Sequence, residues 1–445
     1  MLILNGTIIT MNAEGQIVPN GALRIEGDTI TEVGSSSELR KRHPGEEHLD
    51  ASGMLVAPGN ICAHTHFYGA FARGMAIPGP APAEFSEILE RLWWRVDKAL
   101  TYEQIRYSAL VCLVDAIRNG TTTLIDHHAS PNAVDGSLDV IAEATQQAGL
   151  RACLCYEVSD RDGPEVAQAG IEENARFIAK ARESGELLAG TFGLHASLTL
   201  SNETLEDAVA AAKPLDVGFH IHVAEGFADG DDSLRKYGMW VVDRLYHFGI
   251  LGPKTIAAHC VHVDDEEMRI LLESGTHVVH NPRSNMNNAV GVADVLGMLD
   301  RGIEVGLGND GFSNNMYSEM KITYLLHKLA QEDPRVMGAG QVLGMAFGEN
   351  AAIAGLFFSK PLGVIQPGAF ADIILLDYLS PTPITEGNYP WHVIFGLDGA
   401  HVDTTIVGGK ILMRHRELLT LDGVAIHAEA RRQAQQLWDQ IQAEG

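Results

Sequence analysis

Between about residues 54 and 330, short apolar runs alternate with amphipathic stretches, and eight such runs occur in succession. The runs are 54–66, 121–128, 151–158, 187–200, 217–225, 254–263, 276–281 and 303–310. Helical patterns lie between them at 102–119, 138–149, 171–183, 204–212, 237–248, 265–274 and 292–301. Gly120, Gly149, Gly249, Gly275 and Gly302 stand at or just past the helix ends, where a left-handed cap is favoured. Eight strands alternating with helices is the count of an α/β chain folded as a (β/α)8 TIM-type barrel.

The two ends follow a different pattern. Residues 2–34, 363–380 and 401–421 read as short strands and turns, with polar–apolar alternation in Ala22-Leu-Arg-Ile-Glu-Gly-Asp-Thr-Ile-Thr-Glu-Val33. Strand-rich pieces on both sides of a barrel predict one small β-sandwich assembled from both termini. The expected division is a composite sandwich of 1–57 and 362–445 and a barrel of 58–361, with a final polar-rich helix over about 425–443.

Barrels carry chemistry at the C-terminal ends of their strands, and those positions are chemically rich here. His64-Thr-His66 closes the first run, and residues two apart on a strand share a face, so both imidazoles can turn to one ion. A lone His-x-His is a weak signal. It gains weight from His195, His222, Glu225, His259, His280 and Asp310, each at the end of a later run. His64, His66, His222 and Asp310 would make an N3O set with room for a water, as a catalytic ion requires.

The formal charge of −26 disfavours a nucleic-acid or anionic-membrane partner, since either calls for a basic surface. Five cysteines scattered through apolar stretches do not form a disulfide framework, and Cys153-x-Cys155 has the wrong spacing for a redox pair. No secretory-type start and no apolar run of membrane-spanning length occur, which predicts a cytoplasmic protein.

Five segments carry a resemblance. They are Pro58-Gly-Asn-Ile-Cys-Ala-His-Thr-His66, Phe219-His-Ile-His-Val-Ala-Glu225, Ala258-His-Cys-Val-His262, His280-Asn-Pro-Arg-Ser-Asn285 and Gly306-Leu-Gly-Asn-Asp-Gly311. Together they resemble the amidohydrolase superfamily, in the branch of adenosylhomocysteine, guanine and triazine enzymes. Leu92-Trp-Trp-Arg-Val-Asp-Lys-Ala-Leu100, Asp126-His-His-Ala-Ser-Pro131 and Arg283-Ser-Asn-Met-Asn-Asn288 resemble the SsnA-type aminohydrolases more narrowly.

The resemblance assigns His64, His66, His222 and Asp310 to one divalent ion, Zn2+ by default with Fe2+ as the alternative. Two-metal relatives place a carboxylated lysine on the fourth strand; that run holds His195 and no lysine, which implies a mononuclear site. The resemblance further implies that Glu225 protonates a ring nitrogen, that His259 orients the attacking water and that Asp310 relays its proton to the leaving group. His195 is expected at the substrate, and Ser284, Asn285 and Asn309 around the loops and the Asp310 carboxylate. Relatives have Thr or Ser where Asn309 stands, so loop or substrate geometry is expected to differ there.

Three assignments keep two readings. Arg283 either meets substrate or forms a rim ion pair, and Trp93 either stacks on a planar substrate or packs its helix. Of His127 and His128, one is expected to line the pocket and the other to pack in the barrel. The loop 67–98 is long, holds three prolines near its centre and reads as a lid.

The expected activity is hydrolytic deamination of an amino-substituted N-heterocycle of purine, pterin, pyrimidine or triazine type. The alternative keeps the site and cleaves a C–Cl, C–NHR or cyclic amide bond. The partner is a small molecule, and the resemblance implies a homo-oligomer.

Overall fold

The computed structural model describes residues 1–77 and 79–444. Its barrel strands are Asn60–Thr65, Thr121–His128, Arg151–Tyr156, a broken fourth strand of Leu188–Gly190 and Phe192–Ala196, then Phe219–Val223, Ile256–His259, His277–His280 and Val305–Leu307. All neighbours in the ring pair in parallel. The fourth strand breaks at Thr191, its first half pairing with the third strand and its second half with the fifth. The Thr191 hydroxyl supplies the change of partner by donating to Gly218 O at 3.1 Å.

The ring closes where the backbone ladder is shortest. Parallel bridges join Val158 to Leu194 and Thr65 to Asp310. Between the eighth and first strands, the Asn350 amide stands in for missing ladder bonds. It donates to Ile61 O at 2.7 Å and Leu307 O at 2.9 Å, and accepts from Leu307 N at 2.7 Å. The barrel interior near it is apolar, with Ala63, Ile125, Cys153, Ile256, Val279 and Ile353 packed together.

Helix boundaries follow local chemistry. Asp265–Ser274 begins with a capping box, in which Asp264 accepts from Glu267 N and Glu267 accepts from Asp264 N. It buries Met268, Ile270 and Leu271 and ends at Gly275, whose φ of 69° suits a residue without Cβ. The helix Phe227–Tyr237 gives no such sequence signal, because its Asp-Gly-Asp-Asp core carries no apolar stripe.

The segment expected to be a long loop is largely helical. Phe67–Ala72 is a 3₁₀ turn, Phe85–Ile88 and Trp94–Ala99 are α-helical, and Leu89–Trp93 is a π turn. π turns widen a helix locally and recur at functional sites; this one sets the direction of Trp93 and Trp94.

Both termini contribute to one nine-stranded sheet, joined where Leu55–Pro58 runs antiparallel to Ile373–Leu376. The sheet curls back on itself, bringing its edge strand Thr29–Ser35 against the approach to Ile373–Leu376: Ile30 N donates to Ala369 O, and a Cβ on Gly409 would stand 2.3 Å from Gly27 O. Ile3, Ile8, Leu23, Ile25, Ile30, Ile373, Leu375 and Ile406 are sealed inside. Each such side chain contributes about 1.5–3 kcal/mol by leaving water. This sandwich is tied to the barrel by a buried ion pair, Arg151 Nε to Asp372 Oδ2 at 2.9 Å, with the guanidinium 3.8 Å from the Phe370 ring centre. The closing helix Gly423–Glu444 packs on Tyr102–Asn119. No helix among the described residues is long and apolar enough to cross a membrane.

Candidate active site

Strands one, five and eight bring a donor set together at their C-terminal ends. His66 Nε2 lies 2.9 Å from Asp310 Oδ1 and 3.1 Å from His222 Nε2, and His64 Nε2 lies 3.3 Å from the same Asp310 oxygen. Donor atoms of His64, His222, His259 and Asp310 all fall within 4.8 Å of one another, as do those of His64, His66, His127 and His222. The strand ends turn sharply to achieve this. Ala224, His259, Cys260 and Asp310 have φ of 46°, 73°, 48° and 55°. A non-glycine residue held there costs of order 1–3 kcal/mol and persists only where its surroundings fix it. Buried Asp229 fixes one such turn by accepting from Ala224 N at 2.9 Å and Leu198 N at 2.8 Å.

The outer hydrogen bonds decide which ring nitrogen faces inward. His66 Nδ1 donates to His127 O at 2.5 Å and His222 Nδ1 to His195 O at 2.9 Å. A carbonyl only accepts, so both rings carry a proton on Nδ1 and turn Nε2 to the centre, where it is bare whenever the ring is neutral. His64 Nδ1 faces His220 Nε2 at 2.8 Å, His220 Nδ1 faces Cys155 Sγ at 3.7 Å, and Cys155 donates to Asp126 O. With each proton passed outward along that relay, His64 Nε2 is also bare.

Among the described residues, His64 Nε2 and His259 Nε2 are buried without a hydrogen-bond partner. Bare inward nitrogens beside a carboxylate fit a divalent ion. Ligands on a tetrahedral zinc stand roughly 3.3 Å apart, close to the 2.9–3.3 Å separations found here.

Two carboxyl groups in the site have opposite electrostatics. Burial works against an ionised Asp310, but the His64, His66 and His259 imidazoles packed beside it prevail and hold it well below the usual carboxylate range. Ser284 Oγ donates to its other oxygen, Oδ2. Burial, partly offset by the nearby His259, instead raises the Glu225 carboxyl to about 7. Glu225 Oε2 lies 3.5 Å from His259 Nε2, and its Oε1 accepts from Asn288 Nδ2 at 3.2 Å. Asn285 Oδ1 accepts from His259 Nδ1 at 2.8 Å, which leaves Nε2 of that ring unprotonated.

These groups face one cleft at the barrel mouth. Its apolar wall comes from Tyr68, Phe85, Leu89, Trp93, Trp94 and Leu198. Trp93 touches Gly69 and Gly311, and Trp94 meets His195 edge-on at 6.3 Å. His195 also lines the cleft.

Arg283 is not among the lining residues. It is turned to Glu319 (2.5 Å) and to Ser313 O (2.7 Å), the ion-pair reading of the two left open. Asn309 bonds Asn314 Oδ1 at 2.8 Å and Ser313 O at 3.2 Å, bracing the loop after the eighth strand. His128 is buried against Ser130, and His127 lies behind the cleft.

Three residues of the site went unread in the sequence. Glu157 lines the cleft between His127 and His195, His220 backs His64, and Asn288 holds Glu225. His220 had a readable signal, since it shares the strand face of His222.

A model described as "Amidohydrolase family" matches residues 55–412, and one described as "Imidazolonepropionase-like composite domain, bacteria" matches residues 21–45. Over 427 residues the chain is 33% identical to the 5-methylthioadenosine/S-adenosylhomocysteine deaminase of Desulforudis audaxviator (strain MP104C), covering 95% of this chain and 96% of that one. It is 33% identical over 442 residues to the 5'-deoxyadenosine deaminase of Methanosarcina mazei, covering 98% of both. The fold matches that of a zinc-bound adenosine deaminase from Xanthomonas campestris with a TM-score of 0.87 at 22% identity, covering 98% of both chains.

Proposed function

The chain belongs to the amidohydrolase family, and on that premise we propose that it is a mononuclear metal-dependent hydrolytic deaminase of an amino-substituted N-heterocycle. The observation that carries the reading is Glu225, a carboxyl raised to about 7, held beside His259 and opening on the same cleft as His66, His222 and Asp310. A carboxyl that keeps its proton near neutrality is suited to protonating a ring nitrogen. The relatives at 33% identity are named deaminases, which favours the deaminase over the dechlorinating alternative.

His64, His66, His222 and Asp310 would hold the ion, with zinc favoured over ferrous iron by the zinc in the similar adenosine deaminase. A divalent ion in such a site supplies Lewis-acid activation of a water at neutral pH. Glu225 gives its proton to the ring nitrogen as water adds to the adjacent amino-bearing carbon. His259 Nε2, unprotonated, accepts a hydrogen bond from the incoming water and fixes its approach. Asp310 takes the proton released by that water and passes it to the amine, so the adduct collapses to a ring carbonyl and ammonia as its hydroxyl proton returns to Glu225. Trp93 and Trp94 give flat surfaces against a planar ring and exclude bulk water.

The purine-type substrates in the relatives' names support a purine or related ring as the first class to test. The deciding experiment is an ammonia-release screen of the zinc-loaded protein against aminopurines, aminopterins, aminopyrimidines and aminotriazines. Ammonia from at least one class is expected, and release from none would overturn the reading.

A further inference from the structure

Glu157 follows the third barrel strand, is 4% exposed and lines the cleft on the side of strands two to four. Glu225 stands on the side of strands five to seven, with the metal donors between them. The mechanism above uses Glu225 and leaves Glu157 without a task.

The surroundings of Glu157 are short of protons. Its Oε2 lies 3.3 Å from His127 Nδ1 and its Oε1 3.4 Å from His195 Nε2. His127 Nε2 faces His220 O at 3.0 Å. The proton of the neutral ring is therefore on Nε2, and a lone pair points at Glu157. Thr199 gives its hydroxyl proton to Ala196 O at 3.1 Å and so accepts from His195 Nδ1 at 2.6 Å. Neutral His195 thus also turns a lone pair toward the carboxylate. Arg161 pairs with Asp97 through Nη2, and its guanidinium, with Nε and Nη1 buried without a hydrogen-bond partner, lies over the Trp94 ring without a hydrogen bond to Glu157. Among the described residues, Glu157 Oε2 and His127 Nδ1 are buried with no hydrogen-bond partner. Lone pairs converge on Glu157 Oε2 and no protein hydrogen bond reaches it, an arrangement that is costly until a ligand supplies N–H groups.

We propose that Glu157, together with His195, is the specificity anchor of the cleft, accepting N–H donors from the heterocycle edge remote from the reacting carbon. The proposal rests on the deaminase reading and narrows it to rings with a second, exocyclic amino group on that edge. Rings whose far edge offers only acceptors are disfavoured, since they would leave the carboxylate buried and unmatched.

Adenine and 2,6-diaminopurine test this, because they share the C6 amino group and differ by one amino group at C2. Titration calorimetry with the zinc-loaded Glu225→Gln protein, where turnover is blocked, should show 2,6-diaminopurine bound on the order of tenfold or more tightly than adenine. Adding Glu157→Gln, which puts a donor where an acceptor stood, should remove most of that preference while metal content and melting temperature hold. Equal affinity for the two purines before any change at Glu157 would overturn the anchor, as would a preference that survives Glu157→Gln. Loss of a metal equivalent in Glu157→Gln would make the residue a ligand and overturn it too. So would a preference for adenosine over adenine that vanishes with Glu157→Gln, since the anchor would then serve sugar hydroxyls. The two readings fail separately. Ammonia release by the unmutated protein with no binding preference sinks the anchor alone. A binding preference with no ammonia from any heterocycle sinks the deaminase reading.

Discussion

Ser284 Oγ donates to Asp310 Oδ2 and so holds one oxygen of that carboxylate still, leaving Oδ1 turned to His64 and His66. A hydroxyl in the short helix Pro282–Asn287 thereby orients a carboxylate that follows the next strand. Such outer partners tune metal sites nearly as strongly as the ligands do. Ser284→Ala is expected to weaken zinc binding by about 10–100-fold with the fold intact, measured by chelator competition. Unchanged affinity would remove Ser284 from the metal's support.

Elemental analysis of the purified protein is expected to give close to one metal equivalent. His66→Ala or Asp310→Ala should lower it sharply, because each removes a donor from a cluster with atoms 2.9–3.3 Å apart. Two equivalents, or binding undisturbed by either change, would contradict a mononuclear centre.

The acid form of Glu225 is the one that gives a proton. Its carboxyl, raised to about 7 by burial, is mostly protonated below that pH and mostly ionised above it. Rate should therefore fall as pH rises through about 7, while Asp310, held well below the carboxylate range, stays ionised throughout. Glu225→Gln should keep its metal and lose about 10²–10⁴-fold in kcat. Near-normal turnover at full metal occupancy would take the proton transfer away from Glu225.

Trp93 and Trp94 are only partly buried, so their removal is expected to leave most of the stability in place. Trp93→Ala and Trp94→Ala, made singly, should raise KM with little change in melting temperature if the helical segment closes the cleft. A large drop in melting temperature with unchanged kinetics would mean that both rings only anchor Trp94–Ala99 to the barrel.

Arg151→Ala leaves Asp372 buried without its cation. Breaking a buried pair in this way typically costs about 3–5 kcal/mol. The melting temperature should fall by several degrees, and calorimetry would also show whether sandwich and barrel still melt together. A neutral result would mean that the sandwich is held by apolar contacts alone.

Much of this architecture is legible in the chain because barrel strands and helix caps are local signals. The helices at Tyr102–Asn119 and Asp265–Ser274 fall where periodicity and Gly120 or Gly275 put them. His64, His66, His222 and Asp310 are visible as polar residues ending apolar runs. Glu157 ends a run too, but a single carboxylate there reads as a solvated rim residue until His127 and His195 are seen around it. Asn288 was hidden for a different reason: its value lies in reaching Glu225, a contact across 63 positions that no spacing encodes. The helical turns at Phe85–Trp93 escaped because Pro-rich sequence precedes them and a π turn has no period of its own.

The seam between the first and last barrel strands has one more consequence. His66 N donates to Asp310 O and Asp310 N to His64 O, while Asn350 laces the same gap further down. An ion held, as proposed, by His64 and His66 on one lip and Asp310 on the other would act as a clasp on an otherwise thinly stitched cylinder. Whatever free energy it gains on binding is then subtracted from the tendency of the ring to spring open. Stripping the ion should therefore loosen hydrogen exchange first along Asn60–Thr65 and Val305–Leu307, with the opposite strands protected longest.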